Sequence, residues 1–142
     1  MNRRHFIQTS LTGAAVGLLA PGFVQADTAT LPGEGSIYYT RNKPGRWAQK
    51  AEGHLPRIQI EKTDSDIKVK VITPHEMRGY EHYIIKHVLL DEQYGFIAEK
   101  LFDPNRDSTP VSEFSLKQTT GSKIHVLSLC NLHDLWLSSA DL

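Results

Sequence analysis

The chain has a single cysteine, Cys130, and two methionines, and its charges cancel, with 16 lysines and arginines against 16 aspartates and glutamates. Each scarcity removes a class of answers. One thiol cannot close an internal disulfide, and four-cysteine zinc or iron centres are out of reach. Balanced charge removes the electrostatic case for a nucleic-acid partner. The longest apolar run, LTGAAVGLLAPGFV, falls short of the roughly 20 residues a membrane-spanning helix needs. No internal repeat and no low-complexity tract is visible.

That apolar run has its own meaning. It follows MNRRHFIQTS, with Arg3 and Arg4 adjacent, and ends in VQA before Asp27. A basic start, a short apolar stretch and a small-residue cleavage pattern make the layout of an exported precursor. The arginine pair resembles a twin-arginine signal, so residues 1–26 are expected to be a signal peptide and the mature protein to be periplasmic, with no membrane span. That pathway moves folded proteins, often with a metal already inserted. The remaining 116 residues are enough for one domain with one core. Their 14 basic and 16 acidic residues give a formal charge of −2. In an oxidising compartment an unpaired cysteine points to an intermolecular bridge or to a thiol with a special task. A thiolate held by a metal is one such task.

Residues 27–46 are rich in Gly, Pro, Thr and Asn and read as an extended lead-in to a domain over 47–142. Beyond Pro56 the pattern alternates: RIQIEK, a TDSD turn, then IKVKVI with Ile67, Val69 and Val71 on one side. This predicts a hairpin of half-buried strands. Further strands are expected at HYIIKHVLL, FIAEKLF, VSEFSLK and KIHVLSLC, each bounded by turn residues. No stretch has a helical period, so the expected fold is all-β, two sheets closing their apolar faces on each other.

Six histidines remain after His5 leaves with the signal. His54, His75, His82 and His133 fall in loops or at strand ends, where a sandwich brings distant residues together. His87 and His125 lie inside strands. By alternation His125 faces away from Cys130, and His87 away from His82, so both read as ordinary strand histidines. Convergence of imidazoles and a thiolate is what a metal site demands. The pattern C-x-x-H on one loop, H-x6-H on another and a third histidine before Leu55-Pro56 supplies five ligand candidates: His54, His75, His82, Cys130 and His133. Spacing leaves iron, copper and zinc all open.

Three segments carry a resemblance. CNLHDLW resembles the C-N-x-H-G-L-W signature of the superoxide reductases, the family of desulfoferrodoxin and neelaredoxin. HEMRGYEHYI is similar to their H-P-M-x-x-E-H-Y-I, and WAQKAEGHLP to their W-x-x-E-K-H-V-P. The matches come in the family's order from Trp47 to Trp136. The resemblance implies an immunoglobulin-like β-sandwich and one iron per chain, with His54, His75, His82 and His133 equatorial and Cys130 axial. The sixth position would be open in the ferrous state and closed by Glu52 in the ferric. The implied reaction is reduction of superoxide to hydrogen peroxide, with iron restored by an unidentified electron donor; assembly into a homo-oligomer is compatible with all of this.

The departures are specific. Gly53 stands where the family has lysine, and Lys50, Arg57 and Arg78 are the candidates to replace that cation. Glu76 replaces proline, the loop from His75 to His82 is one residue longer, and Asp134 replaces glycine. Two other readings use the same residues: an exported iron protein that carries electrons or senses redox state without consuming superoxide, and a blue-copper carrier. The copper reading fits worse, because no methionine follows His133. A metal-free binding module is a third.

Overall fold

The structure is a computed structural model that describes residues 31–142; the expected signal peptide lies outside the described residues. Eight strands form two sheets: β1 (Tyr38–Tyr39), β2 (Arg57–Lys62), β3 (Asp66–Ile72), β4 (Ile84–Leu90), β5 (Phe96–Leu101), β6 (Val111–Lys117), β7 (Lys123–Cys130) and β8 (Asp134–Asp141). One sheet has the order β1-β8-β7-β4-β5, the other β2-β3-β6. All pairings are antiparallel except β1 with β8. This is the expected all-β, immunoglobulin-like sandwich.

Alternation builds the core. Ile67, Val69 and Val71 of β3 point inward and pack on Leu89, Leu116, Ile124 and Val126 from three other strands. Each such aliphatic side chain contributes about 1.5–3 kcal/mol when fully buried. Between them Lys68 and Lys70 stay exposed, so a slip of one residue would reverse the two faces.

Two strands were not expected. DLWLSSAD has one short apolar run followed by small polar residues, yet it forms β8 because it follows β7 through a tight turn and pairs with its whole length, Lys123 to Cys130. The lead-in is also less loose than its composition implies. Tyr39 is buried against Trp136, ring centroids 5.5 Å apart, and Leu55 completes that cluster. A 3₁₀ turn over Gly45–Lys50 runs into a single helical turn, α1 (Ala51–His54). Gly45 permits this: its φ is +49° and a Cβ there would meet the carbonyl of Gly35 and the ring of Tyr39.

Candidate metal centre

The ligand candidates sit where chain segments end. His54 closes α1, His75 follows β3, His82 precedes β4, Cys130 is the last residue of β7 and His133 stands just before β8. Asn131 ties two of these loops together. Its side chain accepts from the Tyr83 amide (2.9 Å) and donates to the carbonyls of Tyr80 (3.3 Å) and Glu81 (3.0 Å). Sequence reasoning did not single out Asn131, although it lies inside CNLHDLW; an amide beside a ligand cysteine was the available signal.

All five candidate side chains meet, their donor atoms within 4.8 Å of one another. The nitrogens make a chain of near contacts: His75 Nε2 to His82 Nε2, 3.0 Å; His82 Nε2 to His133 Nδ1, 3.1 Å; His133 Nδ1 to His54 Nε2, 3.0 Å. These three contacts run in sequence through all four imidazoles, the crowding expected of nitrogens that share one ion. Cys130 Sγ lies 3.6 Å from His133 Nδ1 and 3.9 Å from His75 Nε2.

Protonation agrees with this geometry. His54 donates Nδ1–H to the carbonyl of Lys50 at 2.8 Å, which leaves Nε2 as a bare lone pair facing the other rings. Burial pushes His54 and His75 down to about 4 and also lowers His82 and His133. All four are therefore neutral imidazoles at neutral pH, the form that ligates. Burial raises the Cys130 thiol, against an opposing pull from backbone hydrogen bonds at Leu132 and His133. A buried thiol among neutral rings becomes a thiolate when a cation is beside it. The donor set of four imidazoles and one sulfur fits a transition metal.

The walls are aromatic and fixed. Trp136 donates its indole N–H to the His133 carbonyl (2.8 Å), and Trp47 stands edge-on to the His133 ring with centroids 4.7 Å apart. Asp134 holds this wall from outside, accepting from Trp47 Nε1 at 2.8 Å and Arg46 at 2.5 Å. Those two hydrogen bonds keep its carboxyl below the usual range. Asp134 does so at φ +61°, a left-handed conformation that glycine adopts more readily. Its carboxylate thus binds Trp47 and Arg46.

Glu52 stands outside the group of five. Its exposed carboxylate accepts from Arg41 at 3.0 Å, a partner not foreseen from sequence. Arg78 is held by Glu76 at 2.6 Å. Lys50 is exposed, makes no ion pair among the described residues, and its charge lowers His54, His82 and His133. Arg57 lies on β2 and does not figure among the charges acting on the four histidines.

His87 and His125 stay out of the cluster, but the alternation argument fails for His87. A bulge between Ile84 and Lys86 turns both Ile84 and His87 inward despite their odd spacing, and His87 is fully buried. His125 is covered on the outer face by Tyr94, stacked at 4.2 Å, and bonds Ser139 at 2.7 Å.

Comparison with known proteins agrees with this picture. The family model described as Desulfoferrodoxin matches residues 46–139. The superoxide reductase of Pyrococcus furiosus is 31% identical over 113 residues, 66% of this chain and 90% of that protein. Among solved structures, the superoxide reductase (neelaredoxin) from Ignicoccus hospitalis has a TM-score of 0.63 at 26% identity, covering 75% of this chain and 94% of that one. A superoxide reductase in the oxidised state has a TM-score of 0.54 at 30% identity, covering 66% and 90%. Sandwich, histidine–cysteine cluster and sequence agree: the chain belongs to the desulfoferrodoxin family.

Proposed function

We propose that the protein is a superoxide reductase that holds one iron ion through His54, His75, His82, His133 and Cys130. The observation that carries this reading is the meeting of those five donor atoms in one place. Bound there, iron supplies the single electron that, with two protons, converts superoxide to hydrogen peroxide, and an external donor returns the electron. The chain's own residues do the rest. Four neutral imidazoles and one thiolate leave a divalent ion with a net charge of about +1, which attracts a small anion. Trp47 against His133 and Trp136 against His54 shield the rings from one side, while His82 and His133 remain part-exposed and form the approach.

Lys50 is the cation that steers superoxide in place of a lysine at position 53. It is unpaired among the described residues and acts electrostatically on three of the four rings, whereas Arg78, Arg46 and Arg41 are each engaged by a carboxylate. Glu52 is the additional carboxylate ligand of the oxidised protein, drawn from Arg41. The protein works in the periplasm after twin-arginine export, a reading supported by Arg3, Arg4 and the VQA sequence.

The test is stopped-flow mixing of the reduced, iron-loaded protein with superoxide. Oxidation of the protein with stoichiometric peroxide is expected. Reduction by a donor without consumption of superoxide would leave an electron carrier instead. Lys50→Ala is expected to slow the reaction severalfold, less so as salt rises. Gly53→Lys is expected to accelerate it, since a Cβ at Gly53 meets nothing closer than 3.7 Å. Glu52→Ala should alter the spectrum of the oxidised protein alone; an unchanged spectrum removes Glu52 from the site.

A further inference from the structure

Directly beneath the cluster lies a polar chain that the reaction does not use. His87 Nε2 is 2.8 Å from Thr73 Oγ1, which is 2.9 Å from Ser128 Oγ; on its other side His87 Nδ1 is 2.8 Å from Ser112 Oγ. All four side chains are buried within the sandwich, and the edge of His87 rests on Phe102, centroids 4.9 Å apart. Burial pushes His87 down to about 4, so the ring is neutral, with one nitrogen donating and the other accepting. The hydroxyls rotate to suit, and both ring nitrogens are satisfied.

The chain joins the sheets at a particular level. Ser128 is the direct cross-strand partner of His87 on β7 and β4, Ser112 belongs to β6 of the opposite sheet, and Thr73 follows β3. Ser128 and Cys130 lie on one face of β7, two residues apart, or roughly 6.6 Å along the strand. Thr73 precedes His75 by two residues, and the His75 amide closes a tight turn onto the Thr73 carbonyl at 2.7 Å. Thr73 and Ser128 therefore link the short levers that carry His75 and Cys130. Apolar side chains could fill this space without the cost of leaving a buried polar atom unpaired, about 1–3 kcal/mol each. Directional bonds fix relative position in a way that apolar packing does not.

We infer that His87, Thr73, Ser128 and Ser112 form a positioning node that sets how Cys130 faces His75, and through them the strength of the metal–thiolate bond. This rests on the reading that Cys130 and His75 are ligands. The experiment uses iron-loaded protein and three readouts: the thiolate-to-iron absorption band, metal affinity by chelator competition, and the thermal midpoint. Thr73→Val keeps the shape and removes the hydroxyl. It is expected to move the band and weaken affinity severalfold, less than the roughly 10–100-fold that loss of a hydrogen bond made directly to a ligand costs. Thr73→Ser, which keeps the hydroxyl, is expected to restore both. Ser128→Ala, a smaller change, should act in the same direction if Thr73→Val does not fold. A lowered thermal midpoint with band and affinity unmoved in Thr73→Val or Ser128→Ala would overturn the node as a positioning device. Failure of the ligand reading is a separate result: Cys130→Ser would then keep the band.

Discussion

The buried half and the exposed half of the candidate site are built on different principles. His54, His75 and Cys130 are 4%, 8% and 2% exposed and are held by packing and by hydrogen bonds to fixed backbone, from the His54 ring to the Lys50 carbonyl and from the His75 amide to the Thr73 carbonyl. The rim is held by ion pairs between long, solvated side chains: Arg41 with Glu52, Arg78 with Glu76, Arg46 with Asp134. Exposed pairs of this kind are weak and screened by salt. Gly53, Glu76 and Asp134, the three replacements against the pattern the chain resembles, all lie on or beside this rim, and none is buried. The floor keeps its donors while the rim changes its charges.

The contrast can be broken from the inside first. Cys130→Ser should abolish the thiolate-to-iron band and lower the superoxide rate more than about 100-fold, beyond what outer hydrogen bonds supply; spectrum and stopped-flow both read it. Trp136→Ala removes the side chain that packs Tyr39 and holds the His133 carbonyl, and should cost about 3–5 kcal/mol in denaturant unfolding. Acid is the next lever. Folded His87 takes up its proton only near pH 4, whereas in the unfolded chain it does so at 6.5. Its contribution is complete above pH 6.5 and is lost as pH falls towards 4, in total on the order of 3 kcal/mol. Urea titrations at pH 7, 5.5 and 4 should show that slope flattened in His87→Gln. At the rim, Arg78→Ala should leave the unfolding midpoint unchanged within error and alter the superoxide rate only at low salt. A large loss of stability there would erase the distinction between floor and rim.

What was legible in the sequence follows the same division. Strict alternation in IKVKVI fixes one face inward, and β3 forms there as expected. The histidines and Cys130 were legible because metal-binding residue types are few and stood at strand ends. β8 was not, since its pairing comes from its neighbour β7 and not from its own period. His87 lies outside the cluster as expected, but its inward direction was not legible, because a bulge leaves no mark in the residue pattern. The pairings of Arg41 with Glu52 and of Arg46 and Trp47 with Asp134 span between 11 and 88 positions, and nothing local announces them.

The bulge between Ile84 and Lys86 separates how long β4 is from which way its side chains look. One supernumerary residue, Ile85, sits between the pairs Ile84 with Cys130 and Lys86 with Leu129, so Ile84 and His87 share the interior. A chain shortened by Ile85 would keep those two pairs as adjacent rungs, with both side chains inward on an even count. The strand thus absorbs one residue between His82 and His87 without changing its register against β7 at the Cys130 end.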